Sequence, residues 1–496
     1  MLVESACAAL PAPKHHDYRN TMIAYLFRCW VIYSSSFCCS ALWSAPAGNS
    51  KYVRTPRLRW RPPTAHPLTG LVLLISQRFI IRKFIFVILL SFFYTALCFA
   101  EDQFKENDVN SSAAFSVKAA VQNQIDSYIK SARTSALRRD ALCIALALDD
   151  RQLAAQVIIS GIDGKGQLTP DMRILLGECP TGGIILFRYN LDTNNDAIRG
   201  LIAEAAALIT SHNNIPPFIA VDHEGGSVNR FRAGVADLPP AASYWELARR
   251  DGDAAAIAQI NADSAAAGMS LNALGFNLNL APISEYLNDD NRDFLTDRSY
   301  GPEPYFIAEA AAAFIAGMGQ ANILCVLKHF PGSAGLDPHS FPSIIQSDKD
   351  VLSDLVSPIA ALIKNGKARA IMVSHTAVPA RDSTIASLSP VIMNVWLRQE
   401  LGFTGLIICD DFSMASASDN NRLSPEAAAV QSLAAGADML LVWPPDLRRT
   451  HRAIMAALNN GDLSRERLRD AAQRIIFEKL RMDFSIESSR KGAKAQ

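Results

Sequence analysis

The sequence has no excess of charge of either sign. Its 496 residues hold 48 Lys and Arg against 48 Asp and Glu, so no global charge points to nucleic acid as a partner. Its nine cysteines are too few and too scattered to form a disulfide framework. It contains no His-x-His or His-Glu-x-x-His spacing, which removes the usual sequence signature of a zinc hydrolase. Nor does a Gly-x-Gly-x-x-Gly follow its first apolar strand-like run, as an open dinucleotide-binding sheet would require. A hydrophobic share of 49% with a charged share of 19% excludes a disordered chain. What remains is a large globular protein of one large or two ordinary domains.

The overall neutrality conceals a division. Residues 1–100 carry eleven Lys/Arg and two acids, Glu4 and Asp17, so the remainder carries 37 bases against 46 acids. The same hundred residues hold five of the nine Cys and three of the six Trp. They read as a leader. Arg82 and Lys83 precede the uncharged run FIFVILLSFFYTALCFA, which ends at Ala100 before Glu101 and Asp102. A basic flank, an apolar stretch and a small residue ahead of an acidic start form the pattern of a secretory signal within about residues 78–100. At 17 residues the run is also at the lower limit for a membrane span, so an uncleaved anchor is the alternative. The expected location is periplasmic or secreted. Membrane contact is expected only through this leader. Residues 1–75 are either an over-extended gene start or a membrane-proximal tail. Residues 101–149 form an extension in which Val117, Val121, Ile125, Tyr128 and Ile129 follow helical spacing.

From residue 150 to about 483 the chain alternates buried-strand runs with amphipathic helices, and a polar tail (484–496) follows. The runs are GGIILFR (182–188), PFIAVD (217–222), GFNLNLAP (275–282), ILCVLKHFP (323–331), RAIMVSH (369–375), GLIICDD (405–411) and ADMLLVW (437–443). Each has the length and apolar content of a parallel strand covered on both faces. Between two of them Ile198, Leu201, Ile202, Ala205, Leu208 and Ile209 make one helical stripe. Ser424 and Pro425 read as N-cap and first residue of another helix. Seven or eight such units predict an α/β fold, a (β/α)8 barrel. Cys143, Cys179, Cys325 and Cys409 show no ligand spacing and are expected to be small buried hydrophobes.

Polar residues fall where the strands end: Asp222, Lys328 with His329, His375, and Asp410 with Asp411. In a barrel those ends form the catalytic face. Asp410, after LIIC, suits a nucleophile or base in a partly dry cleft; the alternative is that Asp410 or Asp411 caps the next helix. KHFPGSAGLDPHS (328–340) is a strand end and a Gly/Pro-rich loop that places Asp337 near His339, a pairing that raises a ring's pKa and suits proton transfer; an exposed surface loop is the alternative. A buried Lys328 must reach a polar partner or ligand. VDHEGGSVNRFR (221–232) presents Asp222 and Arg230 around a Gly225–Gly226 turn, and TDRSYG (296–301) adds Arg298; both suit a polyhydroxylated ligand or a structural ion pair. A metal-dependent hydrolase using His223, His329, His339, His375 and Asp410 is the rival reading, against which Lys328 beside His329 would repel a divalent cation. No cofactor and no metal is expected.

These segments, with DRSYG, LRQELGFTGLIICDDFSM and AAGADMLLVW, occur in one order across residues 150–480 and resemble the glycoside hydrolase family 3 β-N-acetylhexosaminidases of the single-barrel, NagZ-like type. The resemblance implies removal of terminal non-reducing β-linked N-acetylglucosamine from peptidoglycan fragments or chitin oligomers, with retention through a covalent glycosyl-aspartate. By it Asp410 is the nucleophile, His339 the general acid/base and Asp337 its partner, while Asp222, Arg230, Arg298, Lys328 and His329 hold the sugar. The β-glucosidases of the family place a carboxylate acid/base on a second domain, for which no length is left here. The sequence departs from relatives in having Ser333 for a His, Pro338 for a Ser and VDHEGG for VDQEGG. A neutral base in place of a second carboxylate also lowers repulsion toward an anionic acceptor, so phosphate in place of water is a further expectation. A carbohydrate-binding protein without catalysis and a membrane-anchored scaffold using residues 1–145 are the alternatives from outside the enzymes.

Overall fold

The structure is a computed structural model that describes residues 108–191, 193–231, 234–334, 341–346, 349–414 and 423–493. Eleven strands are described: β1 (Ile158–Gly161), β2 (Gly183–Ile185), β3 (Phe218–Val221), β4 (Leu278–Asn279), β5 (Leu324–Phe330), β6 (Ser343–Ile344), β7 (Ala370–Val373), β8 (Thr376–Val378), β9 (Asp382–Ile385), β10 (Leu406–Cys409) and β11 (Met439–Val442). Eight of them, β1, β2, β3, β4, β5, β7, β10 and β11, close into a parallel barrel in chain order, with β11 returning to β1. The seven apolar runs of the sequence each contribute one strand. The eighth, β1, is a four-residue run that follows directly on the helix Asp150–Gln156, so its apolar residues merge with that helix's buried face in the sequence. The small sheet β6–β8–β9 also lies outside the seven runs; β6 pairs parallel to β8, and β8 antiparallel to β9.

Barrel strands are buried, with only Leu441 of β11 partly so, because helices cover them outside and side chains fill them inside. The striped helix spans Asn195–Asn213 and buries Ile198, Leu201, Ile202, Ala205 and Ile209. Asn194 caps its start, and Asn214 ends it in the left-handed region. Ser424 accepts from the backbone N–H of Ala427 ahead of Pro425, the cap its sequence foretold.

The bottom of the barrel is pinned electrostatically. Asp438, fully buried just before β11, accepts from Arg398 (2.6 Å), Arg467 (3.0 Å), Arg474 (3.1 Å) and the N–H of Ile407 (3.0 Å). Burial alone would raise its pKa, but the three guanidinium groups outweigh that and hold the carboxyl below its ordinary value. On the face of such a barrel away from the mouth, interactions of this kind serve stability rather than chemistry.

The extension forms the helix Asp108–Ala147, which packs on the last helix, Arg465–Ala493. Arg138 lies 4.7 Å above the ring of Phe477 across that seam. Cys179, Cys325 and Cys409 are buried as expected, but Cys143 is exposed. It lies on the face of this extension helix opposite the buried Ala141 and Ala145; the expectation of burial for Cys143 is corrected. Among the described residues no helix is long and apolar enough to cross a membrane.

Candidate active site

The C-terminal ends of the barrel strands surround a cavity of about 240 Å³. That is below the ~300–1,000 Å³ usual for drug-sized ligands and suits a single sugar unit. Asp222, Arg230, Arg298, Lys328, His329 and Asp410 all line it, so six of the eight residues selected from the sequence meet in one place. Asp337 and His339 lie outside the described residues. Their flanks are set: Ser343 Oγ accepts from the N–H of Ala334 at 3.2 Å and stands 2.9 Å from Thr376 Oγ1, which ties both stems of residues 335–340 to β8 at the barrel mouth.

Charge in the cavity is organised around Lys328. Its ammonium lies 2.9 Å from Asp222 Oδ1 and 2.7 Å from Glu224 Oε1, with the side chain 4% exposed. Burial works against the ammonium, but Asp222 and Glu224 outweigh it and raise its pKa. Arg298 adds a two-pronged contact to Glu224, Nε at 2.8 Å and a terminal nitrogen at 3.0 Å, the strong geometry for a guanidinium and a carboxylate. Arg230 reaches Asp222 at 3.3 Å. Both carboxyls are therefore held below their ordinary range although burial opposes it, Asp222 by Lys328 and Arg230 and Glu224 by Lys328 and Arg298.

The turn that presents Asp222 and Glu224 needs its glycines. Gly225 has φ +93°, and a Cβ there would stand 2.5 Å from the carbonyl oxygen of Pro239. Next to it the N–H and hydroxyl of Ser227 donate to Asp297 (3.2 and 2.6 Å), locking this turn to the one that carries Arg298.

Opposite stands Asp410. Its Oδ1 accepts from the N–H of Asp411 at 2.9 Å, and its Oδ2 faces His329 Nε2 at 3.9 Å. The other ring nitrogen of His329, Nδ1, lies 2.6 Å from Glu285 Oε1. A carboxylate oxygen only accepts, so Nδ1 carries the proton and Nε2 is turned toward Asp410. Glu285 also accepts the backbone N–H of His329 at 3.2 Å. Burial would raise the Glu285 carboxyl, yet the hydrogen bond from His329 lowers it.

Asp410 and Asp411 differ in what they touch, and neither caps the next described helix, Pro425–Ala435, which Ser424 caps. Asp411 accepts from Ser413 N (2.9 Å), Ser413 Oγ (2.7 Å) and the indole N–H of Trp443, and so fixes the turn after β10. Asp410 faces the cavity. His375 has both ring nitrogens engaged, Nε2 with the carbonyl of Asp411 at 2.9 Å and Nδ1 with Ser387 Oγ at 2.7 Å. The carbonyl can only accept, which assigns the proton to Nε2 and leaves Nδ1 accepting from Ser387. Burial also lowers its pKa, so the ring is neutral. His223 points away from the cavity and packs edge-on against Phe231, and burial pushes its pKa down to about 4. Among the described residues no three His, Cys, Asp or Glu side chains are grouped to hold a metal ion; His339 of the rival metal reading lies outside them.

Residues 152–477 match the glycosyl hydrolase family 3 N-terminal domain. The chain belongs to glycosyl hydrolase family 3. Among relatives, a β-hexosaminidase of Idiomarina loihiensis is 33% identical over 56% of this chain and 80% of its own length. One from Methylococcus capsulatus is 33% identical over 60% and 85%. Among solved structures, the family 3 β-N-acetylglucosaminidase of Paenibacillus sp. FPU-7 is similar with a TM-score of 0.63 and 29% identity, over 68% of this chain and 63% of that one. NagZ of Neisseria gonorrhoeae in complex with N-trifluoroacetyl-D-glucosamine is similar with a TM-score of 0.56 and 29% identity, over 65% and 89%.

For this family 3 barrel, sequence reasoning passed over two residues of the site. Glu224 was visible as an acid two residues beyond a strand-end Asp and beside the Gly–Gly turn. Glu285 lies six residues beyond the last residue of a two-residue strand, Asn279 at the end of β4; nothing in its local pattern separates it from a surface acid.

Proposed function

We propose that this chain releases terminal non-reducing β-linked N-acetylglucosamine from cell-wall fragments or chitin oligomers by a retaining mechanism through a glycosyl ester of Asp410. The activity itself is that of a β-N-acetylhexosaminidase, in keeping with the family and with relatives so named. The observation that carries the retaining reading is the state of Asp410. Asp222 and Glu224 are neutralised by Lys328, Arg230 and Arg298, whereas Asp410 lines the same cavity with a backbone N–H on one oxygen and His329 at 3.9 Å from the other. A carboxylate left in that condition can attack an anomeric carbon.

In this reading Asp222, Arg230, Arg298, Lys328 and His329 bind the hydroxyls of the sugar. His339 protonates the leaving oxygen, then takes a proton from the incoming water, and Asp337 orients it. The test compares nitrophenyl β-N-acetylglucosaminide with the β-glucoside, with and without chelator. Turnover of the N-acetyl sugar, indifferent to chelator, is expected, and proton NMR should show the β-anomer of N-acetylglucosamine first. The α-anomer first would overturn the glycosyl-aspartate. Glycosyl phosphate formed in phosphate buffer would assign part of the turnover to phosphorolysis.

We also propose a periplasmic or secreted location, on the strength of the basic flank and apolar run that end at Ala100. Mass spectrometry of the protein from its native cell envelope should find a mature N-terminus near Glu101. Peptides from residues 84–100 in that mature protein would favour the anchor instead.

A further inference from the structure

Beyond the cavity, three aromatic rings run outward from its rim. Trp443, after β11, and Phe187, after β2, both line the cavity and stack with centroids 4.6 Å apart and planes 20° from parallel. Tyr189 continues the row, 6.2 Å from Phe187 and 14° from parallel. Hydrogen bonds fix the two ends of the row. The indole N–H of Trp443 donates to Asp411, the neighbour of the nucleophile position, and the Tyr189 hydroxyl donates to the carbonyl of Ile162 at 2.9 Å. Buried Asn190 holds the segment between them, accepting from the N–H of Phe187 and donating to the carbonyls of Ile162 and Gly164, each at 2.9 Å.

Tyr189 is nevertheless 46% exposed. A single exposed aromatic needs no explanation, but one held rigidly at the end of a stack that begins inside a ligand cavity is a preformed apolar surface. Rings so fixed bind without losing rotamer freedom. Pyranose rings present a face of C–H groups that packs on such aromatic surfaces, while their hydroxyls remain in water.

We infer that the Trp443–Phe187–Tyr189 row is a subsite for the sugar units on the leaving side of the scissile bond, and that its occupant is the remainder of a β-linked N-acetylglucosamine oligomer. This rests on the reading of the cavity as the site of the terminal sugar, and it favours an extended oligosaccharide over a small glycoside as substrate. Continuity with the cavity selects this occupant. An end-acting hydrolase holds one sugar in the pocket, so the rest of the chain must leave across the rim.

The full chain carrying Asp410→Asn, which cannot turn the ligand over, allows binding to be read by calorimetry with N-acetylglucosamine and with its β-1,4 tetramer. The tetramer is expected to bind at least about tenfold tighter than the monomer. Adding Tyr189→Ala should remove about tenfold from the tetramer while leaving the monomer within about twofold. A tetramer no tighter than the monomer, or a Tyr189→Ala effect equal on both, would overturn the subsite while leaving the cavity as a sugar site. No binding of the monomer at all would overturn the cavity reading and the subsite with it. A muramic-acid-containing disaccharide that gains more from the intact row than the tetramer does would overturn the assignment to an N-acetylglucosamine chain.

Discussion

Asp410→Asn is expected to lower kcat for a β-N-acetylglucosaminide by about 10⁴–10⁶-fold, the range found when a covalent nucleophile is removed, with the melting temperature almost unchanged. The structural reason for the second half is that Asp410 supports little besides chemistry. One oxygen accepts the N–H of Asp411 at 2.9 Å, which an asparagine carbonyl also does, and the other faces His329 at 3.9 Å without a hydrogen bond. Asp411→Asn should behave in the opposite way. Its carboxylate accepts from Ser413 twice and from the Trp443 indole, so the substitution should lower the melting point and reduce kcat indirectly by loosening the turn that holds Asp410. Steady-state kinetics and thermal melts on the two variants separate the assignments. A stable Asp411→Asn variant without activity, beside an active Asp410→Asn, would reverse the roles given to the two acids.

The barrel was legible because burial on both faces leaves continuous apolar runs, such as LIIC before Asp410 and LCVL before Lys328. Its shortest parts were harder to see. β4 has two residues and β1 has four directly after a helix, too few for periodicity to register. The site was legible where a polar residue interrupts such a run at its C-terminal end, which gave Asp222, Lys328, His329 and Asp410. Partners that arrive from elsewhere in the chain were not. Glu285 meets His329 across 44 residues of sequence and Glu224 meets Arg298 across 74, pairings that depend on barrel closure. The split of labour between Asp410 and Asp411 likewise depended on Trp443, brought in from the next strand. Local pattern therefore identified the groups that carry charge into the cavity, while the fold determined which of them are neutralised there.

That neutralisation gives the second large effect. Lys328→Met should cost about 3–5 kcal/mol of stability at pH 7, the usual consequence of deleting one member of a buried ion pair. Methionine fills the space but leaves Asp222 with Arg230 at 3.3 Å and Glu224 with Arg298, two carboxylates in a site that Lys328 had joined at 2.9 and 2.7 Å. The pH dependence follows from the direction of the shifts. In the wild type both carboxyls are depressed, so their stabilising contribution is present above the unfolded carboxylate pKa of about 4 and is lost as pH falls through the folded values. Without Lys328 the folded values rise, and the acids take up protons earlier, relieving the uncompensated charge. The stability gap between wild type and Lys328→Met should therefore be widest near neutrality and should narrow below about pH 4. At the alkaline end the contribution of Lys328, whose pKa is raised, is fully present below the unfolded lysine pKa of about 10.4 and is lost as pH rises through its folded value. Urea unfolding of both proteins at pH 7 and pH 3.5 measures the gap directly. A gap that is equal or larger at pH 3.5 would mean that Lys328 stabilises the barrel through packing of its chain rather than through its two carboxylates.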